Sequence, residues 1–420
     1  MQANGSLAAQ PDSSGGGAID PRMLNLLEQS GLRPLTLGGS RLLPIVQGGM
    51  GIGVSAHRLA GTVASYGGVG TISSIELRRL HPDLMEQTQG LAPSVQARQA
   101  IEQANRLALQ REICAARERS QGRGLLAVNV MRAVSQYQDY VQSALEAGID
   151  AIVVGAGLPL DLPELAKDFP RTLLVPILSE VRSIQLVVRR WEKRGRLPDA
   201  IVIEHPRYAG GHLGAARIED LNDPRFDFEQ VIPPALAFFR SAGFENKIPL
   251  IAAGGIQSRE DIHRLQSLGA AGVQLGTAFA VSTECDADLT FKRVLAGAQP
   301  EDMVEFISVA GLPARAVRTP WMEKYLSVQD RLKNVARKKP RCTMTFDCLQ
   351  QCGLRDGQAH WGQFCIDKVL ASALKGDLRH GLFFRGAGRL PFGTQIRPVS
   401  DLLDWLLTGR LPSDMTAAVF

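Results

Sequence analysis

The stretch that decides the fold is PLIAAGGIQSREDIHRLQSLGAAGVQLGT, residues 249–277. It opens and closes with short apolar runs, PLIAA (249–253) and GVQLG (272–276), typical of parallel strands that are buried on both faces. Between the runs, Ser258 suits the start of a helix with an apolar stripe, and Gly269 suits its end. The stretch therefore predicts a strand–helix–strand unit of a parallel sheet.

Six further apolar runs, rich in Val, Ile and Leu, precede this unit. They are LPIVQ (43–47), VGTISS (69–74), LLAVNV (125–130), AIVV (151–154), TLLVPIL (172–178) and AIVIE (200–204). Eight such strands with helices between them predict an α/β fold, a (β/α)8 barrel of the TIM type. A doubly wound sheet is the alternative, because periodicity alone does not separate the two architectures.

Glycines cluster directly after five of the predicted strands. The motifs are QGGMGIG, GAGLP, HPRYAGGHLG, GGI and GTAF. Functional residues of such barrels lie at the carboxyl ends of the strands, and a phosphate often binds after the seventh and eighth strands. Gly254, Gly255, Gly276 and Thr277 fit that role, although glycines also serve tight turns. A phosphate site implies a phosphorylated substrate or cofactor.

The first of these motifs indicates which cofactor the protein would bind. QGGMG (47–51) offers backbone with few side chains beside the apolar Met50, which suits a flat isoalloxazine ring better than a sugar. Asn129 ends the third strand, where its amide would hydrogen-bond a ring edge. FMN is therefore the leading cofactor, and the protein would supply its binding and electrostatics.

Composition limits the class of protein. A net charge of +5 on 420 residues is small, so neither a nucleic acid nor an anionic membrane is expected as a partner. No apolar run is long enough to span a membrane, and the polar, Gly/Ser-rich residues 1–20 predict a flexible tail without the features of a signal peptide. We expect a cytoplasmic protein.

The composition changes after the predicted barrel (21–330). The basic run RLKNVARKKPR (331–341) is interpreted as a solvated linker, with phosphate binding as the alternative. It leads into a smaller C-terminal region that extends to residue 420 and ends in a predicted helix, VSDLLDWLLTG (399–409). Within this region, HGLFFRGAGRLPFG (380–393) would either cover the mouth of the barrel or bind an anionic carrier.

Four of the six cysteines lie close together in the C-terminal region. They are Cys342, Cys348, Cys352 and Cys365. Thiolates grouped in this way bind an iron–sulfur cluster or zinc, although the spacing does not match a common zinc ribbon. Buried reduced thiols are the alternative, because free cysteine packs as a small apolar residue.

Taken together, the ordered motifs QGGMGIGVS, AVNVM, GAGLP, AGGHLG, AAGGI and VQLGTAF resemble those of the nitronate monooxygenase family, formerly called 2-nitropropane dioxygenases. The FMN-dependent enoyl-ACP reductases share the barrel and most of these motifs. The resemblance covers roughly residues 35–325. It implies an FMN-bearing (β/α)8 barrel whose monooxygenases oxidise alkyl nitronates with O2 to a carbonyl compound and nitrite.

The resemblance also implies roles for individual residues. Gly49 and Met50 would flank the flavin, Asn129 would contact its ring or ribityl chain, and Gly210 and Gly211 would lie near it. The pairs 254/255 and 276/277 would bind its phosphate.

His212 matches the active-site histidine of the family. It would act as a general base on a nitroalkane, or would orient a preformed nitronate by donating a hydrogen bond. The sequence departs from the family at Tyr208, where many relatives carry an acidic residue, and the insertion there alters the spacing from Glu204. His205 is expected to have a loop or packing role, with a second polar group at the site as the alternative.

Three functions remain open at this point. The first is a nitronate monooxygenase, with a small-molecule substrate and O2. The second is an NAD(P)H-dependent flavin reductase that acts on an enoyl thioester or a quinone; no Rossmann fingerprint is present for a stably bound nicotinamide cofactor, but a transient one is compatible. The third is a flavin-free binding protein, which the intact glycine set and His212 disfavour.

Overall fold

The protein folds as a closed eight-stranded parallel barrel. The structure is a computed structural model that describes residues 17–336 and 342–410. In chain order the barrel strands are β3 (Ile45–Gln47), β4 (Val69–Ser73), β5 (Leu125–Met131), β6 (Ala151–Gly155), β7 (Leu173–Leu178), β8 (Ile201–Glu204), β10 (Leu250–Ala253) and β11 (Gly272–Leu275). Each pairs in parallel with the next, and β11 closes the ring by pairing with β3. All eight predicted strands are confirmed, and the doubly wound alternative is excluded.

The interior of the barrel is filled by branched and small side chains, because strands in a closed barrel point alternate residues inward. Val46, Val69, Val175 and Val202 are buried there with alanines between them. A hairpin of β1 (Leu35–Leu37) and β2 (Ser40–Leu42) packs its leucines on the same interior cluster.

Helices surround the barrel and form the rest of the fold. They are α1 (Pro21–Ser30), α2 (His57–Ser65), α3 (Pro82–Thr88), α4 (Val95–Ser120), α5 (Tyr137–Glu146), α6 (Leu162–Leu165), α7 (Val181–Glu192), α8 (Phe228–Ser241), α9 (Arg259–Leu268), α10 (Thr277–Ala280), α11 (Leu289–Gly297), α12 (Pro320–Ala336), α13 (Gly353–Asp356), α14 (Ile366–Leu374) and α15 (Val399–Thr408). The predicted caps of α9 are confirmed: Ser258 and Asp261 form a capping box, and Gly269 ends the helix with φ 109°.

A three-stranded antiparallel sheet outside the barrel holds the loop that follows β8. Strand β13 (Pro313–Val317) lies between β12 (Met303–Ile307) and the short β9 (Gly211–His212). The pairing of His212 with Ala314 fixes the loop that follows β8, because backbone hydrogen bonds hold it to a buried strand.

The C-terminal residues pack directly on the barrel. Helix α15 buries five apolar side chains and lies against α1 and α9. Arg22 forms an ion pair with Asp404, and the Trp405 indole N–H donates to the carbonyl of Gln257 over 2.7 Å. The C-terminal helix predicted at 399–409 is thereby confirmed, and its apolar face belongs to the same core as the outer barrel helices.

The predicted boundaries between the regions lie in or next to helices. Position 330 lies inside α12, and the basic run continues that helix to Ala336, whereas residues 337–341 are outside the described residues. Of the predicted tail, residues 1–16 are also outside them, but Ala18 bridges to Arg123 and Asp20 caps α1. The division into tail, barrel and C-terminal region stays a prediction.

Candidate active site

A cavity of about 320 Å³ opens at the carboxyl ends of the barrel strands. Its volume is in the range of small-molecule sites, and most of its wall is apolar. All ten residues that the sequence assigned to catalysis or cofactor binding line it: Gly49, Met50, Asn129, Gly210, Gly211, His212, Gly254, Gly255, Gly276 and Thr277. Their roles stay predictions, but the barrel does bring them to one place, as its topology requires.

His212 lies on β9 with its ring at the cavity wall. Its Nε2 atom is 2.9 Å from the hydroxyl of the buried Ser308, which also accepts from the N–H of Ala310. This arrangement favours donation from Ser308 to Nε2 and therefore the tautomer with its proton on Nδ1. Burial lowers the pKa of His212 to about 4, so the ring is neutral near pH 7.

Glu204 is the acidic group at the end of β8, and it lines the same cavity. Burial raises the pKa of its carboxyl to about 7, so a large part of it is protonated near neutral pH. A protonated carboxyl in an apolar wall is a hydrogen-bond donor as well as an acceptor. In the sequence Glu204 stood out only for its spacing, and it was not predicted to be a site residue.

The GGH motif (210–212) lies close to the backbone of the C-terminal segment. A Cβ atom on Gly210 would lie 2.5 Å from backbone atoms of Arg385 and Gly386, so this position needs glycine for the C-terminal segment to pack. The ring of Phe384 follows, with its centroid 6.0 Å from that of His212. The segment at 380–393 thus covers the mouth of the barrel, one of its two predicted functions.

His205 has the packing role that was expected. It is 2 % exposed, makes edge contacts with the rings of Tyr208 and Phe228, and lies 3.2 Å from the Asp227 carboxylate. Burial lowers its pKa, and it does not line the cavity. Tyr208 packs against the turn at Gly255.

The phosphate loops fit the group predicted for them. Gly254 and Gly255 both have positive φ, and Gly276 precedes the first turn of α10. Within residues 17–336 and 342–410, the N–H groups of Gly255, Thr277 and Ala278 have no protein acceptor. Unpaired N–H groups beside a cavity suit the oxygens of a phosphate. These loops therefore fit a phosphate such as that of FMN, the predicted cofactor.

The ring of the cofactor would lie against the flat backbone that follows the first barrel strand. A Cβ atom on Gly49 would lie 2.3 Å from that of Asn129, so the two residues are in direct contact and form one surface of the cavity. Asn129 is also within 3.4 Å of the Val153 carbonyl through its side-chain nitrogen, which leaves its oxygen free to accept a hydrogen bond. This surface suits the edge of a planar heteroaromatic ring.

The predicted metal site is not supported. No group of three or more His, Cys, Asp or Glu residues has the geometry to hold a metal ion in the described part of the chain, which includes all four C-terminal cysteines. Cys348 lines the cavity, and burial, followed by the negative charge of Cys352 and Asp367, raises the pKa of its thiol. Cys352 is buried and the other three cysteines are partly buried, and the alternative of buried reduced thiols stays a prediction.

Comparison with known proteins identifies relatives of the whole barrel. The model of the nitronate monooxygenase family matches residues 40–409. A probable nitronate monooxygenase of Bacillus subtilis is 27 % identical over 67 % of this chain and 78 % of its own. One from Staphylococcus saprophyticus is 24 % identical over 54 % of this chain, and the alignment spans 59 % of the relative's length.

Solved structures show the same fold. FabK from Thermotoga maritima has a TM-score of 0.58 at 22 % identity, covering 93 % of this chain and 96 % of its own. Nitroalkane oxidase from Streptomyces ansochromogenes has a TM-score of 0.57 at 19 % identity, with 93 % and 99 % covered. At these identities the likeness concerns the barrel and not the substrate. None of the described helices is long and apolar enough to cross a bilayer.

Proposed function

The chain belongs to the nitronate monooxygenase family, and on that premise we propose that it is an FMN-dependent oxidoreductase that oxidises alkyl nitronates with O2 to a carbonyl compound and nitrite. The observation that carries the proposal is the neutral His212 at the wall of a mostly apolar cavity. FMN, when bound, supplies the redox chemistry by accepting electrons from the substrate and passing them to O2.

His212 would orient the anionic substrate. With its proton on Nδ1, the neutral ring is a donor, and the Ser308 hydroxyl fixes its tautomer from the other side. A donor in a dry pocket holds a nitronate oxygen more strongly than it would in water. On a neutral nitroalkane, the ring would instead need the other tautomer, with Nε2–H donating to Ser308, so that Nδ1 takes up the proton from the carbon next to the nitro group.

The other cavity residues would bind FMN and exclude water. The N–H groups of Gly255, Thr277 and Ala278 would hold the phosphate of FMN, and the face formed by Gly49 and Asn129 would meet its ring. Apolar side chains such as Ile177 and Leu275 line the remaining wall and keep water from the reacting centre.

Anaerobic reduction of the flavin tests the proposal. The flavin-loaded protein is mixed with an alkyl nitronate or with NAD(P)H, and bleaching of the flavin absorbance is followed in a stopped-flow instrument. Fast bleaching by the nitronate with little response to NAD(P)H is expected. Fast bleaching by NAD(P)H alone would contradict the proposal.

A reductase is the second candidate, and one observation favours it. The cavity continues beneath the C-terminal region, where Ile366, Leu370 and Leu382 add apolar wall. This extension suits a longer apolar chain, such as that of an enoyl thioester or a quinone, with NAD(P)H as a transient reductant. In that case NADPH or NADH would bleach the flavin, and the unsaturated acceptor would restore its colour without O2.

The cysteines bear on where the enzyme works. All six are free thiols. We expect a cytoplasmic protein on this ground, because the cytosol keeps thiols reduced.

A further inference from the structure

The C-terminal segment Arg385–Arg389 crosses the two predicted phosphate loops. The N–H of Gly386 donates to the hydroxyl of Thr277 over 3.0 Å, at the start of α10. The N–H of Ala387 donates to the carbonyl of Tyr208 over 3.1 Å, in the loop that follows β8. The segment is thus tied to both sides of the site by its own backbone.

Two glycines allow this close passage. A Cβ atom on Gly386 would lie 2.8 Å from the Tyr208 carbonyl oxygen, which is too close for any other residue. A Cβ atom on Gly388 would lie 3.8 Å from the Cα of Gly255, at van der Waals distance from the phosphate turn. Residue 389 follows directly, so its side chain starts next to that turn.

The two arginines of the segment differ in what they contact. Arg385 is 5 % exposed, and its guanidinium donates to the carbonyls of Leu295, Gly386 and Gly388. It therefore holds the segment in shape. Arg389 lines the cavity, and within the described residues it makes neither a side-chain hydrogen bond nor an ion pair. Its positive charge is available to a ligand.

The acidic groups of the cavity do not compete for Arg389. Glu76 pairs with Arg78 and Arg79, and Asp367 also pairs with Arg79. Burial raises the pKa of Glu204 to about 7, so its carboxyl is only partly ionised near neutral pH. An anion at the phosphate loops would thus meet unpaired backbone N–H groups, and the side chain of Arg389 lines the same cavity.

We propose that Arg389 pairs with the terminal phosphate of the bound flavin mononucleotide and makes the site select FMN over unphosphorylated riboflavin. This inference rests on the proposed function, because it takes FMN as the ligand. A guanidinium fits a phosphate well, since two of its N–H groups can donate to two oxygens at once. The C-terminal region would then bind the cofactor as well as cover the cavity.

Binding of the two flavins tests the inference. Flavin-depleted full-length protein is titrated with FMN and with riboflavin, and flavin fluorescence reports the affinity. Arg389→Gln is expected to weaken FMN binding about tenfold or more, the usual weight of a hydrogen bond to a charged group. Riboflavin affinity is expected to stay unchanged, and Arg389→Lys should restore part of the FMN affinity.

Arg379→Gln is the matched control, because Arg379 is exposed in the same region and does not line the cavity. It should change neither affinity. Unchanged FMN binding in Arg389→Gln, or an equal loss for both flavins, would overturn the inference and leave the proposed function standing. A parent protein that binds neither flavin would instead overturn both.

Discussion

Replacing Glu204 with Gln should make the protein more stable at alkaline pH. The carboxyl lies in the apolar wall of the cavity, and burial raises its pKa from the usual 4.5 to about 7. A carboxyl with a raised pKa binds a proton more tightly in the folded state, so its contribution to stability is complete below pH 4.5 and is lost as the pH rises through 7. Gln has the same shape and no charge to bury.

The size of the effect follows from the two pKa values. The full difference corresponds to about 3 kcal/mol, at 1.36 kcal/mol for each pKa unit. Roughly 2 kcal/mol of this stability difference is lost between about pH 5.5 and about pH 8.5. The stability advantage of Glu204→Gln over the parent protein should therefore grow by roughly 2 kcal/mol across that range.

Urea denaturation of both proteins, at matched flavin content, measures this advantage at the two pH values. Glu86→Gln is the control, because the same chemical change is made on an exposed side chain of α3 that has no ion pair within the described residues. Its stability difference from the parent should not vary with pH. An advantage of Glu204→Gln that is the same at both pH values would refute the reasoning, since it would mean that Glu204 ionises as freely as a surface carboxyl.

Three further outcomes are expected. His212→Asn should reduce turnover of a neutral nitroalkane more than that of its nitronate, and an equal loss on both substrates would contradict the role as a base. Because burial holds the pKa of His212 at about 4, the parent's nitroalkane rate should fall through protonation of this base only near pH 4. Gly210→Ala should destabilise the fold by roughly 1–3 kcal/mol in thermal or urea unfolding, because the Cβ of the alanine would meet the backbone of Arg385. Proteolysis within residues 380–393 should also become faster, and an unchanged rate of proteolysis would argue against the contact. Leu403→Ala should cost roughly 2–5 kcal/mol in urea denaturation, since the side chain is fully buried in α15; a cost below about 1 kcal/mol would mean that α15 is not held by its apolar face.

The barrel could be predicted from the sequence because local patterns carry it. Runs such as TLLVPIL at 172–178 are too short and too branched for helices, and each one forms a strand. The residues that cap α9 were also predicted from a local sequence pattern. Since parallel strands bring their carboxyl ends together, the order of the strands and glycine motifs along the chain was enough to place those motifs at one cavity.

The contacts of the C-terminal region could not be predicted in the same way. Thr277 and Gly386 are 109 residues apart, and no periodicity connects them. Gly210 was correctly placed at the cavity, but its close approach is to the backbone of Arg385, which the sequence did not indicate. The spacing of Cys342 and Cys365 likewise does not fix the geometry of their thiols, and no metal site is found among the described residues.

The position of the segment at 385–389 has a consequence for the newborn chain. A ribosome adds about 5–20 residues per second, so it completes β11 roughly 5–20 s before it reaches Gly386, 109 residues beyond Thr277. During that interval the strands are complete while one wall of the cavity has not yet been synthesised. The nascent barrel is therefore open at its carboxyl end, with apolar side chains exposed to water and to chaperones. A mutation that delays docking of the segment prolongs this exposure, and its effect would be seen in the yield of soluble protein before it is seen in turnover.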